Sequence, residues 1–158
     1  FLYLWLAISA EKGLFLFSIF CIRLFVKTFE EVRQRFLEIT FEERFDLIVA
    51  VANGGIIPAA ILNQRLNLDM QLLKLHLRDA DQKQLYDRPR LLEEIRFEVK
   101  GKKILLVEDR VKTGTTLNYA RQLLLGAGAA MVKTFAVNGN ADYCLYNEMC
   151  FRFPWRTD

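Results

Sequence analysis

The sequence predicts an α/β fold built on a central parallel sheet, and three observations carry that expectation. Ile104-Leu105-Leu106-Val107 is a short aliphatic run, the pattern of a strand buried on both faces. Asp46-Leu47-Ile48-Val49-Ala50-Val51-Ala52 is a second such strand. Each run passes through a glycine-containing turn into a segment of helical spacing, which is the βα alternation of a parallel sheet.

Length and composition agree with this class. At 158 residues, with 26% charged and 53% apolar residues, the chain is one globular domain rather than a disordered segment. A formal charge of +3 suits anionic substrates without pointing to nucleic acid as a partner. Cys21, Cys144 and Cys150 lack metal-ligand spacing and read as reduced thiols, which fits a cytoplasmic location.

Residues 1–27 form an apolar N-terminal segment, and residues 28–158 the domain proper. The segment holds two apolar runs, and neither reaches the roughly 20 uncharged residues that span a bilayer. Its expected role is to cover the core or a partner. A membrane anchor and a non-native N-terminus are the alternatives left open.

From Thr28 the elements follow in order. Thr28 and Glu31 make a capping-box signature before a helix with Phe29, Val32, Phe36 and Ile39 on one face. Thr40 and Glu43 repeat the signature, so a short second helix is expected. After the Asp46–Ala52 strand, Gly54-Gly55 turns the chain into a helix over Ile57–Leu66, with Pro58 tolerated in its first turn. Leu73, Leu75 and Leu77 alternate with Lys74, His76 and Arg78, a strand with one apolar face. Residues 79–90 are polar, and a loop of about 12 residues suggests a functional lid. Alternation at Ile95, Phe97 and Val99 favours another strand there. After the Ile104–Val107 strand, Leu117, Ala120, Leu123 and Leu124 mark a helix that Gly126 and Gly128 end. Strands are expected over Met131–Val137 and Ala141–Tyr146, followed by the aromatic tail Phe151-Arg152-Phe153-Pro154-Trp155.

The candidate site lies where the Ile104–Val107 strand ends. Glu108 and Asp109 are adjacent acids, and Lys112-Thr113-Gly114-Thr115-Thr116 follows at a helix start. In open α/β sheets ligands bind at the carboxyl ends of strands. A helix N-terminus offers unpaired N–H groups and a partial positive charge to a phosphate, and threonine hydroxyls add donors. The acids suit sugar hydroxyls or a metal ion. A phosphorylated sugar is the ligand this pattern describes. His76 reads as a surface strand residue, since no nucleophile triad can be built around it.

Ile104 to Leu117 resembles the phosphoribosyl-pyrophosphate signature of type I phosphoribosyltransferases: an apolar strand, two acids, a short variable run, then Thr-Gly-x-Thr. Asp46 to Ala60, with Asn53-Gly54-Gly55 at its turn, resembles that family's pyrophosphate loop, which can carry a cis peptide. Phe151 to Trp155 resembles the C-terminal segment that packs on the base in xanthine- and hypoxanthine-type members. The resemblance implies a central parallel sheet flanked by helices, with a small hood formed by the terminal segments. It implies transfer of a 5-phosphoribosyl group from phosphoribosyl pyrophosphate to a nucleobase, purine-like by preference, with release of pyrophosphate. Glu108 and Asp109 would be the catalytic acids and would hold Mg²⁺. Asn53, Gly54, Gly55, Lys112, Thr113, Gly114, Thr115, Thr116 and Phe151 would bind substrate. The partners implied are phosphoribosyl pyrophosphate, a nucleobase and a second copy of the chain in a homodimer, with no nucleic acid and no membrane.

Two positions depart from the 6-oxopurine members. Lys112 stands where they usually place an Asp facing the base, and neither Val137 nor Asn138 supplies the lysine that reads the exocyclic oxygen. Asn53 also stands where a basic residue often precedes Gly-Gly. The alternative from another class is a sensor or nucleic-acid-binding regulator that holds the sugar pyrophosphate without turning it over. Lys102, Lys103, Arg88 and Arg90 are the basic residues such a regulator would use.

Overall fold

Six strands join in one sheet in the computed structural model of the chain, which describes residues 26–76, 89–149 and 151–156. In chain order the elements are α1 (Phe29–Glu38), β1 (Leu47–Ala52), α2 (Ile56–Leu66), β2 (Met70–His76), β3 (Arg90–Leu91), β4 (Lys103–Arg110), α3 (Thr115–Gly126), β5 (Met131–Asn138) and β6 (Tyr143–Tyr146). The sheet order is β3-β2-β1-β4-β5-β6. Every neighbouring pair is parallel except β2–β3. The α/β class with a central parallel sheet is therefore present.

The contacts divide the chain into two compact units, Phe1–Gln34 with Glu148–Asp158, and Arg35–Asn147. The second holds the whole sheet with α2 and α3. Its middle strand is β4, flanked on both edges, and Ile104, Leu105, Leu106 and Val107 are each 0% exposed. A strand needs aliphatic side chains on both faces only when layers cover both, and here they do. Leu47, Val49, Val51, Leu73, Ile104, Leu106 and Val132 pack with Leu117, Ala120 and Leu124 of α3 and with Val99. Phe135, the neighbour of Thr134 along β5, points the other way and stacks on Phe36 at 5.7 Å.

Handedness fixes which face each connection covers. The steps β4→β5 and β5→β6 run the same way along the sheet, and β1→β2 runs the opposite way. Right-handed crossovers then put α3 and the β5–β6 return on one face and α2 on the other. The return is only residues 139–142, short for a parallel connection. It suffices because β6 starts level with the middle of β5, Tyr143 opposite Phe135. Asp142 fastens it: its Oδ2 accepts the Thr134 N–H at 2.7 Å and the Thr134 hydroxyl at 2.8 Å, and the Asp142 N–H donates to the Thr134 Oγ1 at 2.9 Å.

Three local expectations are overturned. No helix forms at Thr40–Glu43. Instead Glu43 accepts the Tyr143 hydroxyl proton and pairs with Lys133 at 3.2 Å, while Phe41 packs edge-on Tyr143 at 4.9 Å. Tertiary partners outbid the local cap. The alternating stretch Ile95–Val99 forms no strand and bends at Phe97, because β2 pairs with β3 only at Leu75↔Leu91 and His76↔Arg90. Its apolar side chains still pack on the α3-side core. The last strand begins at Tyr143, with Ala141 and Asp142 in the return. The expected lid, residues 79–90, falls largely on residues 77–88, outside the described residues, and so do the expectations for residues 1–25, Arg88 and Cys150.

In the other unit the capping box forms as read: the Thr28 N–H donates to the Glu31 Oε2 at 2.6 Å, and the Glu31 N–H donates to the Thr28 Oγ1 at 3.2 Å. The Thr28 N–H, with the Thr28 hydroxyl donating to the same oxygen at 2.8 Å, holds the Glu31 carboxyl below the usual carboxylate range. The described terminal segments meet through a bridge between Val26 and Arg152. Phe153 and Trp155 stack at 5.0 Å, and Phe29 meets Trp155 edge-on at 6.3 Å. No helix among the described residues is long and apolar enough to cross a membrane.

Candidate active site

The carboxyl ends of β1 and β4 lie side by side, since the two strands pair in parallel from Leu47↔Ile104 to Ala50↔Val107. That register brings the two sequence motifs together. Beyond β1 the Ala52–Asn53 peptide is cis, and Gly54 and Gly55 turn the chain into α2. A Cβ added to Gly54 would stand 2.6 Å from Asp109 Oδ1 and against Glu108 Oε1. One added to Gly55 would meet the Val107 carbonyl oxygen and stand 2.9 Å from the Val51 backbone. At Gly55 a side chain would collide with backbone that cannot give way, and at Gly54 one would have to displace both carboxylates. Asn53 is exposed at the lip of this turn.

Glu108 and Asp109 would point to opposite faces of an ideal strand. At the end of β4 both carboxylates instead converge on Gly54, and the Asp109 N–H donates to Glu108 Oε1 at 3.0 Å. Asp109 is only 4% exposed, so this carboxylate is held in place.

From Arg110 the chain turns over Val111, whose N–H donates to the Asn138 carbonyl at 2.9 Å. Gly114 then starts α3 with φ +77, the left-handed region, and no side chain caps it. The Asn118 N–H makes the first helical bond, to the Gly114 carbonyl at 2.8 Å. Inside the helix, the N–H groups of Thr116 and Leu117 have no carbonyl to meet, and the Thr115 N–H makes only a long bond, 3.5 Å, to the Thr113 hydroxyl. The exposed Thr113 and Thr115 hydroxyls sit 3.0 Å apart beside them. Unspent donors, a helix dipole and hydroxyls together suit an anion. Lys112 is exposed on the same loop. So Asn53, Gly54, Gly55, Glu108, Asp109 and Lys112–Thr116 gather at one end of the sheet. Phe151 belongs to the other unit, where it is buried against Phe153 with Lys27 over its ring at 5.4 Å.

Next to the nest is a cleft of about 380 Å³, lined by Lys112, Thr113 and Gly114, by Asn118 and Arg121 of α3, and by Asn140 and Asp142 of the return. Sequence reasoning missed it. Asn118 and Arg121, one turn apart, show a polar stripe on α3, but nothing local says what it faces. Gly139 brings the return close: at φ +119 its added Cβ would press on the Val111 carbonyl. Burial alone would push the Asp142 carboxyl up, but the Thr134 N–H and hydroxyl, with Arg121 at 3.8 Å, pull it below the usual carboxylate range.

Two adjacent carboxylates fit a hard cation shared with a substrate. Mg²⁺ is commonly held by one or two carboxylates plus substrate phosphates. No group of three or more His, Cys, Asp or Glu poised for a metal exists among the described residues.

Comparison with known proteins adds to this geometry. The family model described as phosphoribosyl transferase domain matches residues 25–150. A xanthine-guanine phosphoribosyltransferase of Idiomarina loihiensis is 27% identical over 123 residues, covering 72% of this chain and 72% of that one. An adenine phosphoribosyltransferase of Treponema pallidum is 42% identical over 59 residues, 37% of this chain and 30% of that protein. In fold, the chain is similar to a purine phosphoribosyltransferase from Pyrococcus horikoshii Ot3, with a TM-score of 0.70 at 23% identity, over 84% of this chain and 94% of that one.

Proposed function

Because the chain belongs to the phosphoribosyl transferase domain family, a family of glycosyltransferases, we propose that it moves the 5-phosphoribosyl group of phosphoribosyl pyrophosphate to a purine-like base. The carrying observation is the seat of Gly54 against both acids, which joins a pyrophosphate loop to a sugar-binding pair in one contact.

In this reading Glu108 and Asp109 hold the ribose hydroxyls. The N–H groups and hydroxyls of Thr113–Thr116 hold the 5-phosphate, with Lys112 adding positive charge, and Asn53-Gly54-Gly55 holds the pyrophosphate. The base nitrogen bonds to C1 of the sugar as the C1–oxygen bond breaks, its electron pair leaving with pyrophosphate. The nitrogen's proton passes to solvent. Positive charge spreads over the sugar ring in the transition state, and the fixed carboxylates beside it stabilise that charge. Mg²⁺, held by Glu108 and Asp109 with substrate oxygens, would neutralise the leaving pyrophosphate. The active form is a homodimer, which sedimentation velocity would test.

Pyrophosphate release from phosphoribosyl pyrophosphate across a panel of bases tests the activity. Release with at least one purine, lost in Asp109→Asn, supports it. Tight binding of the sugar pyrophosphate without release for any base overturns it in favour of a sensor.

A further inference from the structure

We propose that the cleft between α3 and the β5–β6 return receives the acceptor and selects one bearing negative charge, an ionised or carboxylated heterocycle, with Arg121 and Lys112 as the selecting groups. This rests on the transferase reading above and extends it to the acceptor's chemistry.

Strand order places the acceptor. The pyrophosphate loop follows β1, and the sugar-binding acids end β4. The incoming nitrogen must attack C1 from the side away from the leaving group, and the far neighbour of β4 is β5. The cleft opens on that side and shares the wall Lys112-Thr113-Gly114 with the phosphate nest. Its volume, about 380 Å³, lies within the ~300–1,000 Å³ of small-molecule sites.

Charge then narrows the ligand. Lys112 and Arg121 contribute two positive charges and Asp142 one negative, so the lining carries one net positive charge. Asp142 is already committed to Thr134 by three hydrogen bonds. Its reach to Arg121 is long, 3.8 Å, and a guanidinium has five N–H donors. Asn118 and Asn140 can each donate or accept, so they orient a ring without fixing its charge. Lys112 lines the nest as well and is shared with the 5-phosphate, and a neutral amino-substituted ring leaves unanswered the Arg121 donors that Asp142 does not reach. A ring with a carboxylate or an ionised N–H answers them, and the planar guanidinium suits such an acceptor in a paired contact.

The experiment uses the full chain with adenine, hypoxanthine, xanthine and orotate at saturating phosphoribosyl pyrophosphate and Mg²⁺, measuring kcat/KM for each. Xanthine and orotate are expected to exceed adenine by about tenfold or more, an ordinary return for one well-placed charge contact. Arg121→Gln should erase most of that advantage while KM for phosphoribosyl pyrophosphate moves less than about twofold. Arg121→Glu should tilt preference toward adenine, a change of order that loss of folding does not produce. Equal use of all four bases, or an Arg121→Gln loss that is uniform across them, overturns the proposal and leaves the transferase reading intact. If no base is turned over, equilibrium binding of orotate and xanthine decides. Binding weakened by Arg121→Gln keeps the anionic site while the transferase reading falls, and absence of binding sinks both.

Discussion

The two halves of the site are made differently. At the β1 side, backbone packs directly on the two acids and the strand beside them: Gly54 lies against Glu108 and Asp109, and Gly55 lies against the Val107 carbonyl. At the β5–β6 side, a cleft stays open and side chains of mixed charge line it. In the first half an added atom must move backbone at Gly55 or both carboxylates at Gly54, so the packing favours one geometry. The second fixes its frame, through Gly139 and the Asp142–Thr134 bonds, but leaves the ligand to be chosen by exchangeable side chains. Such a division suits a common donor and a variable acceptor.

The largest expected effect attacks the packed half. Asp109→Asn should lower turnover by about 10²–10³-fold, the usual cost of removing one placed electrostatic group, with the unfolding midpoint nearly unchanged. Gly54→Ala should lose comparable activity by displacing both carboxylates. If Gly54→Ala keeps near-normal KM and kcat, the contact does not shape the site, and the contrast between halves fails.

Next, Gly139→Ala strains the frame of the open half. A non-glycine residue in that left-handed region, with its Cβ on Val111, should cost about 1–3 kcal/mol in urea unfolding. It should also raise KM for phosphoribosyl pyrophosphate, because Val111 leads into the nest. A stability loss without any KM change would show the frame and the nest to be independent. Thr134→Val is milder. It removes the hydroxyl, one donor to Asp142 and one acceptor from it, while the backbone N–H stays; the loss should be about 1–3 kcal/mol, and acceptor KM should change more than donor KM.

The smallest effect is in pH. The Asp142 carboxyl sits below its ordinary value when folded, so it adds stability above its unfolded pKa. That contribution is lost as pH falls through the folded value, below about 4. Asp142→Asn should be less stable at neutral pH and lose less between pH 5 and 2. Parallel urea midpoints for the two proteins over that range would refute the assignment.

The packed half was largely legible in the sequence and the open half was not. Ile104–Val107, the acids and the Thr-Gly turn are contiguous, and each reports its own local physics. The glycine pair could be read as a turn, but its contact with Glu108 needs the β1–β4 register, about 54 residues apart in the chain. The cleft draws on a loop, a helix face and a return between parallel strands, so no local pattern announces it. The failed helix at Thr40–Glu43 shares that cause, because Tyr143 and Lys133, a hundred residues on, claim Glu43. Lys112 was visible as an oddity before its place on the cleft gave it meaning.

Gly54's seat has a last consequence. The positions of the two acids and of the turn beside them are settled when the sheet assembles, before any donor arrives. A sugar pyrophosphate bound there would find little left to rearrange, and its affinity would be tied to the integrity of the β1–β4 seam. Heating should then abolish donor binding and melt the sheet in one transition, whereas the side chains that line the cleft at the opposite rim can be exchanged while the fold stands.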